Sequence, residues 1–205
     1  MLSANEIAKA LSSESAESER LTVVPWPDSQ TIVERGGTSI DLRLGRWFRS
    51  FKQTRTNSVS LVGPDPGAED QPTEMSRTKQ HFVPFGDSYV LHPGRFVLGA
   101  TLEWLRLPSG LSGYVTGKSS LGRHGLVIET AAGIHPYFSG CLTLELANVG
   151  EVPLEIYPGM EVCQIFLHRT APCEATDMGK FSGRRKPTLS PPKGDNVFQL
   201  LRDGR

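Results

Sequence analysis

Seven residues, Gly117-Lys118-Ser119-Ser120-Leu121-Gly122-Arg123, place two cations, two adjacent hydroxyls and two glycines directly behind the strand-like stretch LSGYVT. Hydroxyl and cationic donors on a turn of little bulk suit a polyanion, because hydrogen bonds to charged oxygens are the stronger kind. If a single helical turn begins at Ser119, Arg123 lies four residues on and shares its face. A polar β-turn with solvated Lys118 and Arg123 has the same composition, so the residues alone leave both readings open. A P-loop is excluded by spacing: Ser112 stands where a glycine is required, and Gly122 and Gly125 interrupt the long helix that should follow. The second candidate is Glu145 in CLTLELAN. Strand alternation puts Leu142, Leu144 and Leu146 on one face and Glu145 on the other, with Cys141 and Thr143. A carboxylate there implies a cation partner, a catalytic task or an exposed face.

The elements that must hold these residues are mostly strands. Residues 4–12, ANEIAKALS, carry Ile7, Ala10 and Leu11 at helical spacing behind a Ser3 cap, which predicts one short amphipathic helix. From SIDLRLG onward, apolar residues alternate or run in short blocks punctuated by many of the 21 glycines and 15 prolines. That pattern predicts a mainly β fold, a distorted β-barrel or jelly-roll-like double sheet with few short helices. At 205 residues one domain is the expectation for 1–205. Residues 63–80 are nearly free of apolar side chains and read as a surface excursion. Residues 177–205, Gly/Pro-rich and basic, read as a mobile lid or tail.

The composition narrows the function classes. Lys+Arg and Asp+Glu both number 22, so no overall field draws the chain to nucleic acid or an anionic membrane, and any anion site is local. The N-terminal stretch carries Glu6, Lys9, Glu14 and Glu17 and lacks a signal-peptide core, and no apolar run suits a membrane span, so a soluble cytoplasmic protein is expected. Cys141, Cys163 and Cys173 have neither disulfide nor metal-clip spacing; Cys141 and Cys163 fall in apolar strand patterns and read as small buried hydrophobes.

Four segments taken together resemble the deoxycytidine triphosphate deaminase branch of the dUTPase-like superfamily. They are GGTSIDLRLGRWFRSF (36–51), LHPGRFVLGATLEWLRLP (91–108), GKSSLGRHGL (117–126) and AAGIHPYFSGCLTLELANVGEVPLEIYPGMEVCQIF (132–166). The likeness runs from the N-terminal helix to KFSGRRKPTLS. It implies a dUTPase-like β-clip fold, a homotrimer with sites shared at subunit boundaries, and hydrolysis of dCTP to dUTP and ammonia without zinc. The H-x-E and P-C-x-x-C motifs of zinc deaminases do not occur here. The resemblance makes Glu145 the general acid/base, taking a proton from the water that attacks C4 and returning protons to N3 and the departing amine. Burial beside the leucines is expected to raise its pKa toward the working pH. Arg123 and Ser119 would steady the water and the charge developing on the ring. Lys118, Ser119 and Ser120 would contact the triphosphate, Thr143 would read the cytosine edge, and Mg²⁺ would ride on the phosphates.

The chain departs from the family pattern around the sugar and phosphates. His135 stands where most relatives carry an Asp; imidazole can still hydrogen-bond a sugar hydroxyl, but its charge differs. That tells against dUTP or dCTP diphosphohydrolysis, including a bifunctional dUMP-forming activity. Gly133 replaces an Arg, Arg184 replaces an amide, and Lys180 is retained, so Lys180 and Arg184 remain the tail's phosphate contacts. These changes motivate a second class of function, a nucleotide-binding trimer without turnover.

Overall fold

Helix α1 (Ala4–Leu11) begins at a capping box: the Glu6 carboxylate accepts the Ser3 N–H at 2.9 Å and Ser3 Oγ accepts from the Glu6 N–H. Its Ile7, Ala10 and Leu11 are buried, and backbone bonds from Leu2 N–H to Leu167 O and from Leu21 N–H to Ala10 O dock it on the sheets. The computed structural model describes residues 1–12, 16, 20–53, 77–129, 133–172, 183–189 and 196–202. After β1 (Thr22–Val24) comes α2 (Ser29–Arg35), capped by Asp28 and closed by Gly36 in the left-handed region. Sequence periodicity did not reveal α2, because none of its residues is fully buried.

The chain then becomes a succession of strands: β2 (Ser39–Arg43), β3 (Trp47–Phe51), β4 (Thr78–Phe82), β5 (Tyr89–Leu91), β6 (Phe96–Ala100), β7 (Trp104–Arg106) and β8 (Leu111–Gly117). The short helix α3 (Ser119–Gly122) follows. Next come β9 (Leu126–Glu129), β10 (Gly133–Ile134), β11 (Ser139–Gly140), β12 (Thr143–Asn148), β13 (Leu154–Ile156) and β14 (Glu161–Arg169), and α4 (Asn196–Arg202) completes the order. The two larger sheets run β4-β3-β6-β12-β9 and β10-β8-β14-β2; smaller ones are β1-β7-β11 and β13-β5, and the pairings are antiparallel.

One apolar core joins the larger sheets, with Phe48, Val97, Leu144 and Leu146 from the first and Leu42, Ile165 and Leu167 from the second all buried. This is the mainly β, jelly-roll-like double sheet that the turn-rich pattern predicts. One expectation needs correction. Residues 78–80, placed in the surface excursion, belong to β4 at a sheet edge; residues 54–76 lie outside the described residues. Within the tail, residues 196–202 are helical, and residues 183–189 lie against the sheets, as described below. No helix among the described residues is long and apolar enough to cross a membrane.

Candidate active site

Strand β8 delivers the GKSSLGR turn. Lys118 is the N-cap of α3, Ser119 and Ser120 begin the helix exposed, and Arg123, also exposed, donates its backbone N–H to Ser119 O at 3.1 Å. Of the two readings the sequence left open, a helical turn and a polar β-turn, the structure has the single helical turn. Lys118 does not join this exposed group. Its Nζ lies 2.7 Å from Glu161 Oε2 and 3.0 Å from Asp41 Oδ2, with only 23% of its side chain exposed. In this chain the Lys118 ammonium, expected from the resemblance to contact the triphosphate, lies between two carboxylates. Burial opposes that charge, but the hydrogen bonds to Glu161 and Asp41 outweigh it and raise its pKa above the ordinary value.

The pairing continues on both sides. Arg35 Nη1 lies 3.3 Å from Asp41, Arg43 Nη2 lies 3.5 Å from Glu161, and Arg43 bonds the buried Glu103 through its side chain at 3.4 Å and its backbone N–H at 2.8 Å. Burial pushes the Glu103 carboxyl up despite Arg43, whereas the Lys118 hydrogen bond holds the Glu161 carboxyl below its usual range. This charge chain ties α2, β2, β14 and the end of β8 together directly behind the Ser119–Arg123 turn. Asp41 and Arg43 alternate on one face of SIDLR, but their pairing with Lys118 and Glu161 is cross-strand and has no sequence signature.

Beyond the turn, Gly125 adopts φ +89°, and a Cβ there would meet Gly150 N at 2.8 Å. Only glycine allows this close approach, which starts β9 against the end of β12. Asn148 braces the same corner by donating from Nδ2 to Leu91 O and Val152 O and accepting from Gly150 N–H. Register then runs Leu126 opposite Asn148 and Glu129 opposite Glu145.

Glu145 is exposed, while Leu142, Leu144 and Leu146 are buried on the other face of the sheet. The shelter expected from the leucines is thus absent within one chain, because alternation turns the carboxylate away from them. Across the sheet, one transverse row carries Gln80, Arg49, Leu98, Glu145 and Glu129. Glu129 went unnoticed in the sequence, since only register makes it the direct neighbour of Glu145. Thr143 lies on the same face, half-buried and opposite Ala100. Arg123 lies three residues before β9, whose first residue, Leu126, pairs with Asn148, three residues along β12 from Glu145. Among the described residues no ion pair joins Arg123 to Glu145.

His135 is exposed in the turn after β10, where its carbonyl accepts from Phe138 N–H and Tyr137 adopts φ +65°, unusual for a side chain of that size. Lys180 lies outside the described residues. Arg184 is exposed, and its backbone carbonyl accepts from Cys141 N–H at 2.8 Å.

Comparison with known proteins gives a consistent result. The model of the dCTP deaminase-like family matches residues 1–170. A protein of Mycolicibacterium vanbaalenii named "dCTP deaminase, dUMP-forming" is 44% identical over 179 residues, covering 83% of this chain and 87% of the relative. Its counterpart of the same name in Mycolicibacterium smegmatis is 42% identical over 180 residues, covering 84% and 88%. Among solved structures, the 2'-deoxycytidine 5'-triphosphate deaminase of Agrobacterium tumefaciens superposes with a TM-score of 0.56 at 22% identity. That match covers 81% of this chain and 45% of the other, and at this identity it bears on the fold alone.

Proposed function

The chain belongs to the dCTP deaminase-like family, and from that premise we propose that it is an enzyme that hydrolyses dCTP at C4 of the cytosine. The observation that carries the reading is that Glu145 faces outward and that the Ser119–Arg123 turn is exposed as well. Glu145 takes one proton from water as the oxygen bonds to C4 and delivers it to N3, then takes the remaining proton of the new C4 hydroxyl and delivers it to the amino group. The C4–N bond then breaks, so dCTP and water become dUTP and ammonia. Ser119 and Arg123 orient the water and oppose the negative charge that develops beside it. Ser120 binds phosphate, and Thr143 with its neighbouring backbone reads the base edge.

Arg123 and Glu145 do not meet within one chain, so the proposed site forms between copies in a homotrimer, with Glu145 from one chain and the turn from another. A second chain would also supply the desolvation that the leucines do not. Lys118 acts behind the turn as an anchor. Among the described residues no cluster of three or more His, Cys, Asp or Glu side chains is placed to hold a metal ion. In this proposal any Mg²⁺ is carried by the triphosphate. We place the reaction in the cytoplasm, where nucleoside triphosphates are available.

A second reading extends the reaction: a further water cleaves dUTP at the α-phosphate and gives dUMP and pyrophosphate. The names of the two curated relatives favour it, whereas His135 in place of an expected carboxylate tells against it. Incubating the protein with dCTP and Mg²⁺ and identifying the products by mass separates the readings: dUTP with ammonia for the first, dUMP with pyrophosphate for the second. Glu145→Gln is expected to fold and assemble normally but release ammonia about 10²–10⁴-fold more slowly. Unchanged turnover in that variant would remove Glu145 from the mechanism.

A further inference from the structure

The segment Gly183–Thr188 is attached to the sheets at five points. Gly183 N–H donates to Ser139 O at 2.6 Å and Cys141 N–H donates to Arg184 O at 2.8 Å, so the segment pairs alongside β11. Gly140, at φ +153°, makes room for it, since a Cβ there would lie 3.2 Å from Arg184 O. The Arg185 guanidinium sits 5.0 Å from the Trp104 ring centroid, and Lys186 Nζ sits 3.9 Å from that of Trp47. Arg49 Nε then donates to Pro187 O at 3.0 Å, and Pro187 is buried. A half-open pocket of about 460 Å³ lies beside it, with Arg185 on its wall together with Trp47, Ala100, Trp104 and Cys141.

Of these contacts, Trp47 and Arg49 belong to β3 and share by register the sheet face that carries Glu145, whereas Trp104 and Ser139 belong to the β1-β7-β11 sheet. Register places Leu98 beside Glu145 and Ala100 beside Thr143, yet Leu98 and Ala100 are only 5% and 2% exposed while Glu145 is exposed. The contacts of the segment with Arg49, Trp47 and Cys141 bracket the covered half of the face. Two further cations of the segment, Arg185 and Lys186, are engaged with indole faces. Arg184 is pinned through its backbone two residues before β12.

We propose that Gly183–Thr188 is a strap latched by Trp47, Trp104 and Arg49 across the Glu145 face, and that the two tryptophans are positioning residues for nucleotide binding because they fix where the Arg184 side chain begins. The latch stands on the contacts themselves; what it positions rests on the deaminase reading.

The test uses the full chain and the double variant Trp47→Leu/Trp104→Leu, which keeps apolar bulk and removes both π faces. Limited trypsin digestion is followed by mass at the bonds after Arg184 and Arg185. Cleavage there is expected to be roughly tenfold faster in the variant, because proteolysis follows the population of the opened segment. KM for dCTP is expected to rise about threefold or more with little change in kcat. Trp47→Phe/Trp104→Phe, which retains aromatic faces, is expected to restore both values. Should the leucine pair fail to fold, Lys186→Gln removes one pin from an exposed site and is expected to speed the same cleavages. Equal cleavage rates in wild type and variant overturn the latch; faster cleavage with KM unchanged overturns the positioning role. Absence of dCTP turnover in the wild type sinks the deaminase reading and the positioning role with it, while the cleavage rates still decide the latch.

Discussion

Glu145 faces outward because its three leucine neighbours face inward, and a strand cannot satisfy both on one side. Its direct neighbour across β9 is another exposed carboxylate, Glu129, a pairing that is unfavourable unless cations or hydrogen bonds arrive from elsewhere. That is the residue-level reason for assigning its partners to a second chain and a bound nucleotide. The thiols show the opposite behaviour. Burial pushes Cys141 up to about 11 and Cys163 up to about 12, so almost no thiolate exists at neutral pH. Maleimide labelling at pH 7.5, mapped by peptide mass, is therefore expected to modify these two at least about a hundredfold more slowly in the native protein than in urea. Rapid labelling of Cys163 in the folded protein would show that β14 is not packed as described.

At the scale of elements, the charge chain through Lys118 decides whether the α3 turn is held. Lys118→Met leaves Asp41 and Glu161 facing each other half-buried and is expected to cost about 1–2 kcal/mol in urea unfolding at pH 7. The pH dependence follows from Glu161, whose carboxyl is held below its ordinary range in the folded state. Such a group contributes stability above its unfolded pKa and loses it as pH falls through the folded value. The gap between wild type and variant is therefore expected to narrow below about pH 4, and a gap that widens there would contradict the assignment. Helix α1 and the strand blocks could be read from periodicity and punctuation. Helix α2 could not, because it buries no residue fully, and the Asp41–Lys118–Glu161 cluster could not, because it joins three separate stretches of chain.

For the whole molecule, the separation of Arg123 from Glu145 along β12 turns the site into a question of assembly. Glu145→Gln and Arg123→Ala are each expected to be inactive alone. Unfolded together, refolded and assayed, they are expected to recover about a quarter of the wild-type activity, the share of intact sites in randomly mixed trimers that build each site from two neighbours. Recovery at background level, with mixed trimers verified by mass, would place both residues in one chain's site. The strap adds a constraint of the same order: Arg185 and Lys186 are already engaged with Trp104 and Trp47 before any nucleotide arrives.

Residue types and their order were enough to establish the β-rich class, the capped first helix and the placing of Glu145 on the strand face opposite its leucines, since each depends on local geometry and the alternation of a strand. Three-dimensional packing alone settled that Lys118 serves two carboxylates, that Glu129 stands beside Glu145, and that Arg185 and Lys186 rest on tryptophans. Those contacts join residues up to about 140 positions apart in the chain, and cross-strand register and tail docking leave no periodic mark by which a sequence could announce them.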